Sequence, residues 1–267
     1  LEADEYQNKL RMYHPRGIIL THVDLDHPDF FKSKSDYQKA FADFVSRLPR
    51  NGFLIYWADD QENQIVAKYS PAPTMSYGFS DLADYKIIKK GQPGVFEIHY
   101  QVTSMGIFTT PLMGDHNLLN TTAAILMARQ WGLSNKQIQN SLSTFQGALR
   151  RLQKIDLSTA LKVKGILAFD DYGHHPTEVK ATLHALREAY PEHTIWTVFQ
   201  PHTYSRTTMF LKEFGQAFGY SDHTLVLDIY ASAREKSGDG LIHVKDVVSE
   251  IQKNKSDAHY TPTVEEA

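Results

Sequence analysis

Apolar positions fall into two rhythms along this chain. In its first part, short β-branched runs lead into polar loops. Residues 17–22, GIILTH, open onto VDLDHPD, which predicts a buried strand delivering acidic side chains at its carboxyl end. Ser35 precedes YQKAFADFVSRL, where Tyr37, Phe41, Phe44, Val45 and Leu48 share one helical face, so a capped amphipathic helix is expected there. NGFLIYWADD predicts turn, strand and loop. Between residues 71 and 110, PAP and GQPG interrupt alternating stretches such as VFEIHYQV, the pattern of antiparallel strands or a ribbon. HNLLNTTAAILMARQWG predicts a strong helix with Gly132 at its C-terminal cap, and SNKQIQNSLSTF a second.

Past residue 146 the alternation becomes regular: strand GILAFDD, loop YGHH, helix PTEVKATLHALREAY, strand TIWTVF, loop QPHTYSR, helix TTMFLKEFGQAF, strand HTLVLDIY, loop ASARE. Strands separated by helices imply a parallel sheet with right-handed crossovers. Two α/β domains are therefore expected, over residues 1–145 and 146–267, the second a doubly wound sheet. In such sheets ligands bind outside the carboxyl ends of the strands. The unusual chemistry of the second half lies in those loops, and Pro176 suits the first position of a helix.

At 267 residues and 42% hydrophobic content the chain can bury real cores. Its 28 basic and 31 acidic residues leave a formal charge of -3, which offers no electrostatic reason to expect nucleic acid or an anionic membrane as partner. No apolar run approaches the ~20 residues that span a bilayer. The absence of cysteine excludes a disulfide framework and suits the cytoplasm.

Several constellations carry candidate chemistry. Glu2 in EADE and His27 in DLDHPD offer oxygen and nitrogen to a divalent cation; an acidic surface loop with a hydrogen-bonded histidine is the alternative. Asn117 and Asn120 are three apart on a first helical turn and can read a base or ribose, or simply cap. Arg150 and Arg151 present guanidinium forks suited to phosphate, or a solvated pair. Asp170, Asp171, Tyr172, His174 and His175 crowd one strand end, and His202, Arg206, Arg234 and Glu235 occupy its neighbours, a mixture suited to a zwitterion or carboxylate. Zinc is disfavoured because no HExxH or paired-cysteine pattern is present, and neither cysteine nor GxSxG supplies a nucleophile. There is also no GxxxxGK[ST] phosphate loop.

In order, EADEY, THVDLDHPD, GDHNLLNTTAA, FQGALRR, DDYGHHPTE, FQPHTYSR and DIYASARE resemble the Mur ligase family, from Glu2 to about Glu235. The resemblance implies the second half of a central ATPase-like domain followed by a C-terminal Rossmann-like domain. With the opening LEADEY and the absent phosphate loop, it implies a fragment whose partner is the missing N-terminal segment of the same protein, and which is inactive alone. The last four motifs imply ATP-dependent ligation of L-alanine to the lactyl carboxylate of UDP-N-acetylmuramate, through an acyl phosphate. A murein peptide recycling ligase and a non-catalytic binding module are the alternatives.

By the same resemblance, Glu2 and His27 hold Mg2+, and Asn117, Asn120, Arg151 and Asp171 contact ATP. Tyr172, His174, His175, His202 and Arg206 line the amino-acid and acyl side, with His27, Arg151, His174, His175, His202 and Arg206 forming the catalytic set. One departure stands out: His22 follows Thr21 where the family usually has asparagine.

Overall fold

The computed structural model describes residues 1–157, 165–231, 242–254 and 256–267. The chain divides into two compact units, residues 1–145 and 146–267.

In the first unit a 3-10 turn, Tyr6–Met12, precedes β1 (Gly17–Leu20), α1 (Lys34–Val45), β2 (Phe53–Trp57), α2 (Gln61–Ala67), β3 (Thr74–Gly78), β4 (Tyr85–Lys89), β5 (Val95–Tyr100), β6 (Thr103–Thr109), α3 (Asp115–Gln130) and α4 (Asn135–Thr144). The strands form one sheet in the order β1-β2-β3-β4-β5-β6. The first four run parallel, and the β4/β5 and β5/β6 pairs are antiparallel. Only part of the 71–110 region is thus the antiparallel ribbon its sequence suggests. The strand β3, TMSYG, pairs in parallel on both sides, and its scarcity of aliphatic residues conceals that central position.

Neighbouring side chains of a strand point to opposite faces, and β2 serves two cores. Leu54 packs with Ile18, Leu20, Phe44, Val45 and Val66, whereas Ile55 packs with Tyr77, Phe96, Leu118 and Ile125. The continuous apolar run of β2 follows from burial on both sides. Ser33 rather than Ser35 caps α1: its Oγ accepts from the Asp36 amide at 3.1 Å and donates to the Asp36 carboxylate at 2.7 Å. Ser35 has Gln38 at the same spacing, but that side chain donates to Glu62 instead.

The fully buried Tyr77 hydroxyl has no hydrogen-bond partner among the described residues, and burial pushes its phenol pKa up. Because a buried, unmatched hydroxyl forfeits its hydration, Tyr77→Phe is expected to stabilise this unit by about 1 kcal/mol. A rise in the urea midpoint at constant slope would show it; a fall would mean that the hydroxyl is satisfied in solution.

The second unit contains β7 (Gln153–Ile155), β8 (Ala168–Asp170), α5 (Pro176–Ala189), β9 (Trp196–Phe199), α6 (Tyr204–Met209), α7 (Leu211–Ala217), β10 (His223–Val226), α8 (Val244–Lys253) and β11 (Asp257–Tyr260). Its parallel sheet has the order β11-β10-β9. Two expectations need correction. The GILAFDD strand does not join that sheet: β8 pairs antiparallel with β7, Gln153 opposite Asp170, and a cavity of 610 Å³ is lined by both β8 and β9. The helix expected over TTMFLKEFGQAF is two helices. Phe210 leaves helical geometry between α6 and α7 and buries its ring 4.7 Å from that of His175. The last helix and strand, α8 and β11, lie beyond the motifs read from sequence. They complete the core through Val244, Val247, Val248, Ile251 and Ala258.

Candidate functional site

Within the second unit, strand-end loops bring the aromatic and imidazole side chains together. After β10 the chain stays extended, with the Tyr230 amide donating to the Pro201 carbonyl at 2.8 Å, so that Tyr230 lies beside the loop after β9. Its ring stacks on His202 at 5.2 Å and 14° between planes. His202 lies 5.9 Å from His174, and His174 is 5.1 Å from Tyr172, centroid to centroid. The guanidinium of Arg150 sits over the outer ring, 4.6 Å from the Tyr172 centroid, and that of Arg151 at 6.0 Å. This row, Arg150–Tyr172–His174–His202–Tyr230, forms part of the lining of the 610 Å³ cavity.

Each member is fixed by its own loop. His174 Nδ1 lies 2.9 Å from the Tyr172 carbonyl oxygen. A carbonyl only accepts, so Nδ1 carries the proton and, in the neutral ring, Nε2 carries the lone pair. Arg206, on the first turn of α6, is 5% exposed and donates to the His202 carbonyl at 2.5 Å, with the same nitrogen 3.3 Å from His202 Nδ1. Asp171 accepts from the amides of Leu152 at 2.8 Å and Gly173 at 2.7 Å. A Cβ at Gly173 would stand 2.7 Å from Asp171 Oδ1, so a larger residue there would force that carboxylate to shift.

His175 points elsewhere. It is buried and caps α5, Nδ1 accepting from the Thr177 amide at 3.4 Å, while Glu178 accepts from the His174 and His175 amides at 3.1 and 3.2 Å. Glu178 also lies 3.7 Å from Arg151. The structure therefore gathers Tyr172, His174, His202 and Arg206, and gives His175 a helix-capping position behind them. Arg234 and Glu235 lie outside the described residues.

In the first unit His27 has a left-handed backbone, φ 54°, and packs against Tyr6 at 4.9 Å. Its Nε2 lies 3.2 Å from Glu5 and 3.9 Å from Asp26, and Glu5 accepts from the Tyr37 hydroxyl at 3.1 Å. Glu2 is exposed. No three His, Asp or Glu side chains converge on a metal-sized position among the described residues. Magnesium needs fewer protein ligands than that, since it keeps waters and substrate phosphates; the carboxylates and imidazole of this region fit it in kind. Asn117, near the start of α3, donates to the Met113 carbonyl at 2.7 Å, and Asn120 is exposed one turn on.

His22 stands at the end of β1 with Nδ1 hydrogen-bonded to Asp60 and Nε2 3.5 Å from Asp24. Burial opposes its charge, but both carboxylates outweigh that cost and raise the imidazole to about 9. Burial likewise raises Asp60, and the bond from His22 more than reverses it, leaving that carboxyl below its ordinary value.

Sequence reasoning gave no role to Glu5, Asp60, Glu178 or Tyr230. Of these only Glu178 had a readable signal, the capping-box spacing from His175.

Residues 1–128 match the Mur ligase middle domain, and residues 150–267 match the Mur ligase glutamate ligase domain. The chain belongs to the Mur ligase family. Among its relatives, the UDP-N-acetylmuramate–L-alanine ligase of Lactiplantibacillus plantarum is 38% identical over 94% of this chain. The chain spans 55% of that relative's length. Solved structures share the fold. A UDP-N-acetylmuramate-alanine ligase from Thermotoga maritima superposes with a TM-score of 0.70 at 19% identity, covering 98% of this chain and 54% of that one. A MurF ligase from the same organism, in complex with ADP, gives 0.65 at 17%, covering 84% and 51%. No helix among the described residues is long and apolar enough to cross a membrane.

Proposed function

We propose that this chain is part of an ATP-dependent ligase that joins L-alanine to the lactyl carboxylate of UDP-N-acetylmuramate in the cytoplasm, in peptidoglycan precursor synthesis. What carries the reading is the likeness, along nearly the whole chain, to ligases bearing that name. On this reading residues 1–145 are the second half of the ATP-binding domain and residues 146–267 the C-terminal domain. The partner that completes them is an N-terminal segment with the phosphate loop.

The residues divide the work as follows. Glu2 and His27 would hold Mg2+, and the chemistry it would supply there is charge neutralisation on the phosphates during phosphoryl transfer to the carboxylate. Asn117 and Asn120 read the nucleotide, with Arg151 at its phosphates. Asp171 serves the ribose only if it shares a carboxylate already bonded to two backbone amides. In the second step the amine of L-alanine attacks the acyl carbon, and the tetrahedral adduct collapses to the amide as inorganic phosphate leaves. His174 Nε2 takes up the proton the amine must lose, and His202 and Arg206 place donors and positive charge near the developing oxyanion. Tyr172 borders the amino acid. His175 acts through the helix it caps, setting the backbone from which His174 projects.

The test is phosphate release from ATP that depends on both UDP-N-acetylmuramate and L-alanine. The chain alone is expected to release none, and adding the phosphate-loop segment is expected to restore it. Turnover by the chain alone would refute the assigned need for that segment. A reconstituted intact protein that accepts only a free murein peptide would replace the substrate.

A further inference from the structure

The departure at position 22 has a geometry of its own. His22 lies between two carboxylates from different elements: Asp60, whose other oxygen caps α2 by accepting from the Glu62 and Asn63 amides at 2.7 and 3.3 Å, and Asp24, in the loop that follows β1. Both ring nitrogens face acceptors, which only a protonated ring satisfies at once. Trp57 closes one side, its ring centroid 5.6 Å from that of His22. The other charges nearby are Glu62 of α2 and its ion-pair partner Lys34 of α1, whose ammonium also feels Asp24 and Asp60. Two carboxylates gathered around one ring repel each other unless a cation lies between them.

The same loop carries Asp26 and His27, and its far end is tied down by the Tyr6 hydroxyl donating to Asp29 at 2.7 Å. A separate bond joins β1 to α2: the buried Asn63 amide donates to the Thr21 carbonyl at 3.1 Å. Loss of His22 would therefore remove the ion pair that ties Asp24 to α2, on a loop whose start is also held by the buried Val23, while leaving the strand–helix joint intact.

We propose that His22 is a positioning residue: an imidazolium clasp that ties Asp24, and through it the 23–29 loop bearing His27, to the N-terminus of α2. The clasp rests on residues of this chain alone. Its relevance to catalysis rests on the reading of His27 as a metal ligand. A histidine clasp of this kind is in place through neutral pH and opens as pH rises through its own titration, unlike a neutral amide at the same position.

Long-range nitrogen–proton NMR on the intact chain reads the ring directly. Both His22 nitrogens are expected to be protonated near neutral pH and to titrate together near 9. Titration at or below the ordinary 6.5 overturns the clasp. In hydrogen exchange, His22→Gln is expected to lose roughly tenfold protection across residues 23–29 with α2 unchanged. The wild-type loop is expected to show the same loss as pH passes through about 9, after correction for base catalysis, and His22→Gln no such step. Unchanged loop protection in the variant overturns the proposal. Asp24→Asn gives a second reading should His22→Gln fold poorly: it is expected to lower the His22 titration and loosen the same loop, and an unmoved titration counts against the clasp. Broadening of His27 resonances by Mn2+ reports the metal assignment separately; its absence beside a loop loosened by His22→Gln rejects the metal reading and upholds the clasp.

Discussion

Arg206→Ala is expected to destabilise the second unit by about 3 kcal/mol and to lower turnover of the intact ligase by roughly a thousandfold. The side chain is 5% exposed, so truncation opens a cavity where α6 begins. It also removes the donor at 2.5 Å from the His202 carbonyl, leaving that oxygen without a charge-assisted bond. Movement of His202 would then disturb its stack on Tyr230 and its approach to His174. Arg206→Lys keeps the charge but not the fork, so it should recover much of the stability and little of the turnover. Urea unfolding of the present chain and steady-state kinetics of the intact protein check the two halves. A variant with wild-type turnover would remove Arg206 from the catalytic set.

Asp171→Ala carries the second large effect, about 2 kcal/mol of stability and roughly a hundredfold in turnover. Its carboxylate bonds the amides of Leu152 and Gly173 and thereby closes the turn that displays Tyr172 and His174. Leu152 itself has a left-handed backbone, φ 46°, which needs such support. Two outcomes separate a structural from a nucleotide role. If Asp171 only shapes the turn, the KM for ATP stays near wild type while kcat falls. If the carboxylate also bonds the ribose, KM for ATP rises as well. Asp171→Asn, which keeps one acceptor oxygen, should fall between wild type and alanine on both measures.

Much of the fold was legible because burial leaves a periodic trace. β1, β2, α3 and α5 stand close to where their apolar spacing and caps place them. Misreadings occurred where tertiary packing overrode local pattern. A continuous helix through Phe210 satisfies the 3.6-residue period, but the ring is buried against His175 and the helix breaks to allow it. β8 has a strand's composition, yet nothing in GILAFDD tells which edge it will pair with, and β7 supplies the partner.

For the candidate site, residue types and order along the chain were enough to single out Tyr172, His174, His202 and Arg206, because chemistry concentrated at strand ends is visible in one dimension. Their common location depends on the crossovers that set β9 and β10 side by side, and so does the arrival of Tyr230 beside His202. The same limit applies in the first unit. The sequence alone determined that His22 ends a strand run and that Asp24 and His27 follow in its acidic loop; only the folded chain decided that Asp60, 38 positions from His22, would cap a helix and hold the imidazole. Contacts between residues far apart in sequence are selected by the packing of whole elements, and no local pattern of hydrophobicity encodes which distant carboxylate meets a given ring.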